Sequence, residues 1–327
     1  MKAKARAHTN IALIKYWGKR DEALFLPTNN SLSMTLDQFY TETMVEFDSK
    51  LKSDQFILDG MEMDQRETEK VSLFMDKVRR YTGESRYALI DSVNHVPTAA
   101  GFASSASGYA ALAAAAMKAT GVNFSEKELS KMARQGSGSA SRSIYGGFVE
   151  WQKGELADGS DCYAVPVLEQ GAWDLRVLSV EVTHEVKKVL SREGMKRTVE
   201  TSPFFAGWLE AVAADLVEAK AAIAERDFTR LGETLERNAL RMHATTLGAN
   251  PPFMYWQSST VRVMEAVQML RESGIEAYFT IDAGPNVKVV CQPEDEEQIF
   301  AELMKLDVVQ KIYRCQIGPG VSYLEIG

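Results

Sequence analysis

Alternation of apolar and polar residues is the first regular pattern along the chain, and it predicts several β-strands. The clearest alternating or clustered segments are residues 32–36, 41–47 and 87–93. The chain also begins like a strand, before residues 15–20 turn basic and aromatic. Further strands are predicted at residues 24–26, 148–151, 162–167, 175–182, 277–281, 287–291, 312–317 and 321–326.

Apolar residues at helical spacing predict the helices between these strands. In residues 66–81 they fall on one face, and Gly83 would end that helix. Ser125 and Glu128 form a capping box before a helix that extends to residue 134. Ser202 as a cap and Pro203 in the first turn predict a helix that extends to residue 226. Further helices are predicted at residues 227–244, 259–273 and 294–306.

These elements together predict a mixed α/β (α+β) protein with two domains. Strands and helices alternate through the first half, whereas helices over a small sheet dominate after residue 183. A chain of 327 residues is also long enough to form two lobes, each with a core. We therefore expect an N-terminal domain over residues 1–183 and a C-terminal domain over residues 184–327.

Charge and composition limit the ligands and the cellular compartment that the sequence predicts. The net charge is −8, the isoelectric point is near 5.3 and no long basic run is present, which disfavours nucleic acid and anionic membrane surfaces. An anionic ligand would therefore need a local basic pocket. The three cysteines, Cys162, Cys291 and Cys315, are far apart and predict neither a disulfide framework nor a zinc site. With no apolar leader and no membrane-length apolar run, the sequence predicts a cytoplasmic protein.

Residues 97–110 combine proline, glycine and serine between a predicted strand and an alanine-rich helix. This is the context that a phosphate-binding loop requires, because the N-terminus of a helix offers unpaired N–H groups and a positive dipole end. Gly101 permits a close backbone approach, and Ser104 or Ser105 would cap the helix. A serine-rich start can equally be a simple helix cap, and the segment matches neither the Walker A nor the dinucleotide pattern.

Three other segments carry the hydroxyls and cations that suit oxyanions. Residues 136–147 hold four serines and Arg142 on a glycine-rich backbone, and arginine binds carboxylate or phosphate with two parallel hydrogen bonds. Residues 187–195 are predicted to form a second basic, hydroxylated turn. Lys15, Tyr16 and Lys19 could face one pocket. Each segment could instead be a solvated turn or linker.

Asp282 is the most informative acidic residue, because it follows a predicted strand and precedes a turn rich in small residues. A carboxylate placed there is positioned for chemistry, although an aspartate also caps its own turn readily. The four histidines, at positions 8, 95, 184 and 243, are scattered and suggest no triad or metal site. One carboxylate, several cations and many hydroxyls suit phosphoryl transfer from a nucleotide to an anionic small molecule.

The motifs together resemble those of the GHMP kinase superfamily and, within it, the diphosphomevalonate decarboxylases. The resemblance spans essentially the whole chain, and the motifs that carry it, in order, are NIALIKYWGKR at 10–20, PTAAGFASSA at 97–106, GSGSASRS at 136–143, RMHAT at 241–245, PPF at 251–253 and DAGPNVK at 282–288. Phe102 departs from the leucine that is usual in the superfamily loop. The resemblance implies a two-lobed GHMP kinase fold around a deep cleft. Its N-terminal lobe would be like domain 2 of ribosomal protein S5, and its C-terminal lobe would be helix-rich and ferredoxin-like.

The resemblance also implies an activity, in which ATP and Mg²⁺ drive decarboxylation of mevalonate 5-diphosphate to isopentenyl diphosphate. Asp282 would accept the proton of the C3 hydroxyl, while Arg142 and Asn10 would hold the C1 carboxylate. The substrate diphosphate would be bound by Tyr16, Lys19, Ser137, Ser139, Ser191 and Arg192. The ATP phosphates would be bound by Pro97, Gly101, Ala103, Ser104, Ser105 and Ser107, with Ser105 contacting Mg²⁺ and with Ser92 and Lys187 as further candidates.

Two other functions stay open at this point. A GHMP-type kinase that stops after phosphorylation, such as a mevalonate 3-kinase, would share most of these residues. A non-catalytic nucleotide-binding regulator on the same fold would need neither Asp282 nor Arg142. The family resemblance also implies a homodimer, although no segment of the sequence identifies an interface.

Overall fold

The computed structural model of the chain describes residues 1–96, 104–185 and 188–326, and most of its strands form two sheets. Nearly all neighbouring strands are antiparallel. The strands are β1 (Lys2–Ile14), β2 (Lys19–Asp21), β3 (Leu26–Pro27), β4 (Ser31–Asp48), β5 (Gln55–Leu58), β6 (Met61–Glu62), β7 (Tyr87–His95), β8 (Phe148–Trp151), β9 (Ala164–Leu168), β10 (Arg176–Glu181), β11 (Ala277–Ile281), β12 (Val287–Cys291), β13 (Lys311–Gln316) and β14 (Ser322–Leu324).

The helices lie mainly on the faces of these sheets. They are α1 (Gln65–Thr82), α2 (Ser104–Thr120), α3 (Glu126–Arg134), α4 (Ser191–Thr201), α5 (Phe205–Glu225), α6 (Phe228–Leu247), α7 (Ser258–Glu272) and α8 (Glu296–Met304), with a 3-10 helix over Gly138–Ile144. Within the part of the chain that the structure describes, no helix has both the length and the apolar character needed to cross a bilayer.

The larger sheet has the strand order β14-β1-β4-β7-β5-β6, with β8 on β4 and β9 on β8. Helices α1, α2 and α3 cover one face through an alanine-rich core, and α5 and α6 pack against residues of β1, β4 and β8. A register shift between His8 and Asn10 reverses the side-chain alternation of β1. Ala7 therefore belongs to the core under α2, whereas Ile11 and Leu13 belong to the core under α5 and α6.

The strand β4 merges the two strands predicted at residues 32–36 and 41–47 into one of 18 residues. Its polar middle does not end the strand, because β4 pairs with β1 on both sides of a register shift; the Asp37 carboxylate there accepts a hydrogen bond of 2.7 Å from the backbone N–H of Gln316. The predicted strand at 24–26 is mostly wrong, since residues 22–25 form a turn and only Leu26 enters β3.

The smaller sheet has the order β11-β12-β10-β13 and carries α7 and α8 on a compact apolar core. Strands β11 and β12 pair as an antiparallel hairpin, which decides between the hairpin and the crossover that the sequence allowed. The chain then returns to the larger sheet, where β14 pairs with β1. The domain division at residue 183 stays a prediction; the strand just before it, β10, pairs in the smaller sheet.

Several predicted helix ends are confirmed by their caps. Gly83 ends α1 in the left-handed conformation at φ 76°. Ser125 and Glu128 form the expected capping box of α3. Asp227 caps α6 by accepting a hydrogen bond from the backbone N–H of Arg230. These ends could be predicted because each cap depends only on residues close in sequence.

Other predictions about loops and caps are wrong. The segment predicted as a turn at 187–195 enters helix α4 at Ser191, and Ser202 is the C-cap of that helix. Pro203 is therefore not the first residue of α5, which begins at Phe205. Ser104 and Ser105, predicted as caps, are themselves residues of α2. The serine-rich loop is a 3-10 helix over Gly138–Ile144, because tertiary packing overrides the weak local preference of small residues.

Candidate active site

A cleft of about 380 Å³ lies between the larger sheet and the hairpin of the smaller sheet. Most of its lining comes from five segments: the end of β1, the start of α2, the 3-10 segment, the start of α4 and the turn after β11. Phe25, Glu185 and Met242 of α6 also line it. Its volume is in the range of small-molecule sites. The cleft therefore collects segments that are far apart in the sequence.

Asp282 stands at the end of β11 and reaches across the cleft to Lys15 at the end of β1. The Lys15 Nζ donates a hydrogen bond of 2.7 Å to Asp282 Oδ1. The Lys15 side chain is 3% exposed, whereas that of Asp282 is 26% exposed and open to the cleft. The carboxylate is thus engaged with a neighbouring segment while one side remains accessible to a ligand.

The charges around this pair keep Asp282 ionised. Burial would raise the pKa of the Asp282 carboxyl, but the cations of Lys15, Lys288 and Arg142 outweigh burial and lower it. Burial lowers the pKa of the Lys15 ammonium, and the Asp282 carboxylate offsets only part of that effect. At neutral pH the cleft therefore contains an ionised carboxylate that can accept a proton from a substrate group.

Arg142 lies in the 3-10 segment and is almost completely buried. Its Nη1 donates to Ser31 Oγ at 2.6 Å, and its Nε and Nη2 donate to Asn10 Oδ1 at 3.2 and 3.1 Å. In residues 1–96, 104–185 and 188–326, no carboxylate forms an ion pair with Arg142. Burial lowers the pKa of this guanidinium to about 10. A buried cation of this kind favours an anion in the adjoining cleft.

Asn10 ties the end of the larger sheet to the arginine. Its Nδ2 donates to Ser143 Oγ at 2.8 Å and to the Ser139 carbonyl oxygen at 3.0 Å. Because the amide nitrogen is held in this way, the amide oxygen must face Arg142. The reversal of alternation in β1 is what brings Asn10 to this side of the strand.

A second group of cations and hydroxyls lies at the other end of the cleft. The cations of Lys19 and Arg192 both lie near the Phe25 ring, with Lys19 Nζ 4.9 Å and Arg192 Cζ 5.1 Å from its centroid. The Tyr16 hydroxyl is buried and has no hydrogen-bond partner among the described residues. Burial raises the pKa of this phenol, so it stays a donor. A phosphate group would satisfy both the donor and the cations.

Two helix N-termini point their first turns at the same cleft. Ser104 and Ser105 of α2 and Ser191 of α4 all line it. Ser105 Oγ lies 3.4 Å from Ser137 Oγ, which lies 3.3 Å from Ser139 Oγ. Helix N-termini with hydroxyl side chains are favourable sites for phosphate oxygens.

Two glycines allow the segments of the cleft to approach one another. Gly18 has φ 106°, and a Cβ there would lie 2.7 Å from Phe205 Cζ, so only glycine fits the bend after Trp17. At Gly136 a Cβ would lie 2.1 Å from Tyr109 Cδ1. The serines that follow Gly136 can therefore sit close to the start of α2.

Most of the site residues named from the sequence do meet in this cleft. Its lining includes Asn10, Tyr16, Lys19, Ser104, Ser105, Ser137, Ser139, Arg142, Ser191, Arg192 and Asp282. Ser92 and Ser107 do not line it: the Ser92 hydroxyl bonds to Thr43 at 2.9 Å, and the Ser107 hydroxyl bonds to Thr41 at 2.8 Å. Pro97, Gly101, Ala103 and Lys187 lie outside the described residues, so their predicted contacts with ATP stay predictions.

Two residues of the site were not singled out from the sequence as site residues. The sequence shows only that Lys15 could face a pocket and indicates no role for it, because its partner Asp282 is 267 residues away. Ser31 is completely buried at the start of β4 and accepts the bond from Arg142. A buried lysine at the end of an apolar strand was the available signal for Lys15, whereas no local signal marks Ser31.

The described residues contain no group of three or more His, Cys, Asp or Glu side chains that could hold a metal ion. The serine hydroxyls that line the cleft still fit Mg²⁺, because this ion keeps several waters and is commonly held by substrate phosphates with few protein ligands. The Ser105 hydroxyl, in the first turn of α2, is the side chain that could add to such a shell.

Comparison with solved structures defines the class of protein. The structure resembles that of mevalonate diphosphate decarboxylase from Staphylococcus aureus with a TM-score of 0.95 and 52% identity, over 99% of this chain and 98% of that one. A structure of MDDEF in complex with MVAPP, AMPPCP and magnesium has a TM-score of 0.93 and 48% identity, over 100% and 99% of the two chains. The chain therefore has the two-lobed GHMP kinase fold, as the sequence predicts.

Sequence comparison gives the particular family. Residues 7–164 match the diphosphomevalonate decarboxylase-like N-terminal domain, and residues 177–318 match the mevalonate 5-diphosphate decarboxylase C-terminal domain. The diphosphomevalonate decarboxylase of Ganoderma lucidum is 37% identical, in an alignment that covers 93% of this chain and 81% of that protein. The chain belongs to the diphosphomevalonate decarboxylase family.

Proposed function

We propose that this protein catalyses the ATP-dependent decarboxylation of mevalonate 5-diphosphate to isopentenyl diphosphate, ADP, phosphate and carbon dioxide. The observation that carries the proposal is that Asp282 and Arg142 line one cleft. A carboxylate beside a buried guanidinium provides a base for the substrate alcohol and a cation for the substrate carboxylate. Membership of the decarboxylase family supports the same reaction.

The two ends of the cleft suit the two anionic ends of this substrate. Arg142, held by Asn10, would bind the C1 carboxylate through its fork of N–H donors. At the other end, the diphosphate would meet a set of hydroxyls and cations: Tyr16, Lys19, Ser137, Ser139, Ser191 and Arg192. The C3 hydroxyl would then lie between these ends, beside Asp282.

ATP would approach the substrate from the side of α2. We propose that Ser104 and Ser105 bind its phosphates together with Pro97, Gly101 and Ala103, and that Ser107, Ser92 and Lys187 contribute from the surroundings. Mg²⁺ would neutralise phosphate charge and would be held by the phosphates, by water and by the Ser105 hydroxyl. The N-terminus of α2 supports this assignment, because its N–H groups and dipole favour negative charge.

The reaction would begin with transfer of the γ-phosphoryl group to the C3 oxygen, with ADP as the leaving group. Asp282 is a weak base for an alcohol, so it takes the hydroxyl proton as the oxygen–phosphorus bond forms rather than before. Phosphate then leaves C3 with the electrons of the carbon–oxygen bond. The C1–C2 bond breaks, its electrons form the C2–C3 double bond, and C1 departs as carbon dioxide.

The test is product analysis with mevalonate 5-diphosphate, ATP and Mg²⁺. We expect one isopentenyl diphosphate, one ADP, one phosphate and one carbon dioxide per turnover, measured by mass spectrometry and by release of labelled carbon dioxide. A stable 3-phosphorylated product without carbon dioxide would show a kinase instead. Absence of ADP would favour a non-catalytic nucleotide-binding regulator.

We further propose a homodimer in the cytoplasm, with domains over residues 1–183 and 184–327. The family resemblance supports the dimer, and the three unpaired, buried cysteines suit a reducing compartment. Light scattering after gel filtration would test the dimer, since each chain has a mass of 36.3 kDa. A mass of one chain would refute it.

A further inference from the structure

The Lys15–Asp282 pair joins two strand ends that belong to different sheets. Lys15 follows β1 in the larger sheet, and Asp282 follows β11 in the smaller sheet. A hydrogen bond of 2.7 Å across this junction requires that both strand ends be held at a fixed separation. The Thr280 hydroxyl of β11 reaches the Ala12 carbonyl oxygen of β1 at 3.4 Å, and helix α6 contacts both strand ends.

Asn238 on α6 holds the Lys15 end of the junction. Its Oδ1 accepts a hydrogen bond of 2.8 Å from the Lys15 backbone N–H, and the residue is completely buried. Its Nδ2 donates to Asp215 Oδ2 on α5 at 3.0 Å, which fixes the orientation of the amide. Asp215 is in turn paired with Arg237 and Arg241 of α6. Asn238 is therefore fixed by its own helix α6 and by α5, and from this position it contacts the strand end.

His243, on the same helix, holds the Asp282 end. Its Nε2 lies 3.2 Å from the carbonyl oxygen of Ile281, the residue just before Asp282. A carbonyl oxygen only accepts, so Nε2 carries the proton. The ring is buried against Trp256, with the ring centroids 4.9 Å apart. Burial lowers the pKa of His243 to about 3, so the imidazole is neutral and adds no charge beside Lys15.

Resting on the function proposed above, we propose that Asn238 and His243 of α6 are positioning residues for the Lys15–Asp282 pair. They fix the two strand ends so that the carboxylate meets the C3 hydroxyl. This gives a role to the RMHAT segment at 241–245, because Arg241 holds Asp215 and His243 holds Ile281. Neither positioning side chain lines the cleft.

The direct test compares two substitutions of His243. In His243→Gln the amide nitrogen can reach the place of Nε2, whereas in His243→Asn the side chain is one bond shorter and cannot. A displacement of 1 Å at a reacting group can lower the rate by about 10²-fold. We expect kcat to fall 10- to 100-fold in His243→Asn and less than about 5-fold in His243→Gln, with both KM values within about 3-fold of wild type.

The pH profile of kcat separates positioning from simple loss of stability. Asp282 is faced by Lys15 from β1, Lys288 from β12 and Arg142 from the 3-10 segment, with neutral His243 behind it. If the junction loosens, the Lys15 ammonium moves away and the pKa of Asp282 rises. The acid limb of the profile should therefore move to higher pH in His243→Asn and stay in place in His243→Gln.

Stability and ligand binding provide the controls. Glu233→Gln changes an exposed residue of α6 and should leave kcat, KM and the melting temperature unchanged. The Kd for Mg-ATP should be unchanged in all variants. Should His243→Asn not fold, Asn238→Ala carries the same test, with a kcat reduced at least 10-fold expected.

Any one of three values of kcat would overturn the proposal: a kcat for His243→Asn within 2-fold of wild type, an equal loss in His243→Gln, or, where His243→Asn does not fold, a kcat for Asn238→Ala within 2-fold of wild type. An acid limb that does not move in His243→Asn would also overturn it. A wild-type protein that forms no isopentenyl diphosphate would overturn the proposed function as well. Active wild type with unaffected variants would refute only the role of α6.

Discussion

At the scale of single residues, the site depends on pairing one accessible carboxylate with several buried cations. Asp282 is kept ionised by Lys15, Lys288 and Arg142, and Arg142 is held by neutral partners rather than by a carboxylate. Buried charges without an opposite charge are costly for stability. This cost is expected where a protein is prepared to bind an anion, because the ligand supplies the missing charge.

The first prediction concerns Asp282→Asn, which keeps the shape of the side chain and removes the base. General-base catalysis contributes about 10²- to 10⁴-fold, so we expect kcat to fall by about 10³-fold or more. The Kd for Mg-ATP should stay within about 3-fold of wild type, since the nucleotide phosphates are bound elsewhere. Rapid-quench kinetics and nucleotide titration measure both quantities.

The matched control is Asp307→Asn, an exposed aspartate whose side chain is 78% accessible. It should not change kcat. Turnover of Asp282→Asn within a few-fold of wild type would remove Asp282 from its proposed role.

The second prediction concerns Arg142→Gln, which removes the buried cation. Hydrogen bonds to charged groups are worth about 1.5–3 kcal/mol, so kcat/KM should fall by about 10- to 100-fold. Arg142→Lys should recover part of this loss, because it keeps the charge without the planar fork. Steady-state kinetics with mevalonate 5-diphosphate makes the comparison.

Stability gives an independent readout for the same variant. Without ligand, the melting temperature of Arg142→Gln should stay close to that of wild type, because the loss of the bonds to Ser31 and Asn10 opposes the gain from removing a buried charge. Arg66→Gln, at an exposed position of α1, is the control. Unchanged kinetics in Arg142→Gln would mean that the substrate carboxylate is bound elsewhere.

At the scale of elements, the described lining of the cleft consists largely of helix starts, strand ends and the turns next to them. The starts of α2 and α4 direct N–H groups into it, while β1 and β11 end at its wall. The 3-10 segment brings Ser137, Ser139 and Arg142 against the first turn of α2. Sites built on regular elements hold their side chains more rigidly than sites on loops.

The third prediction tests the contact between the 3-10 segment and α2. In Gly136→Ala the new Cβ would lie 2.1 Å from Tyr109 Cδ1, so the backbone or the ring must move. We expect the KM for mevalonate 5-diphosphate to rise about 10-fold, because a shift of the serines weakens the diphosphate contacts by about 1.4 kcal/mol. The melting temperature should also fall.

Gly207→Ala is the matched control for this change. Gly207 lies in α5, and a Cβ there would have no neighbour within 4 Å. Replacing glycine by alanine inside a helix stabilises it by about 0.5–1 kcal/mol, so this variant should melt slightly higher with unchanged KM. An unaltered KM in Gly136→Ala would contradict the role assigned to the segment.

At the scale of the whole molecule, several positive charges lie together in the cleft although the protein is acidic. The net charge is −8, yet Lys15, Lys19, Arg142 and Arg192 all line one cleft. The protein thus repels anions on average but attracts them at one place.

The chain also crosses between sheets, since β14 returns to pair with β1 after the smaller sheet is complete.

The fourth prediction tests this return of the chain. A variant ending at Val321 lacks β14, whose residues pair with Lys4, Ala5 and Arg6. It also lacks Tyr323, whose ring centroid lies 5.3 Å from Lys118 Nζ. We expect a loss of about 1–2 kcal/mol, which lowers the melting temperature by a few degrees, with kcat within 2-fold of wild type.

A variant ending at Leu324 is the control, because it keeps all of β14. Its melting temperature should match that of the full chain. Equal melting temperatures for the two shortened chains would show that β14 does not contribute to stability.

Much of the fold could be predicted because the signals were local. The capping box of α3, the glycine that ends α1 and the periodicity of α6 each involve residues within one or two turns. The errors fall where distant contacts decide. Helix α4 and the 3-10 segment contain small or polar residues with weak preferences, and contacts with neighbouring elements, α2 and α3 for the 3-10 segment and α6 for α4, make them helical.

The sequence by itself determined which residues are candidates for the chemistry: Asp282 at a strand end, Arg142 among serines and the hydroxyls at the start of α2 each stand in a recognisable local pattern. Only the tertiary structure decided how they meet. Lys15 pairs with a carboxylate 267 residues away, and Asn238 is 223 residues from the backbone N–H it binds. Local sequence patterns cannot predict such contacts. A hydrogen bond depends on the positions of two atoms in space, and here those positions depend on how the two sheets and helix α6 pack together.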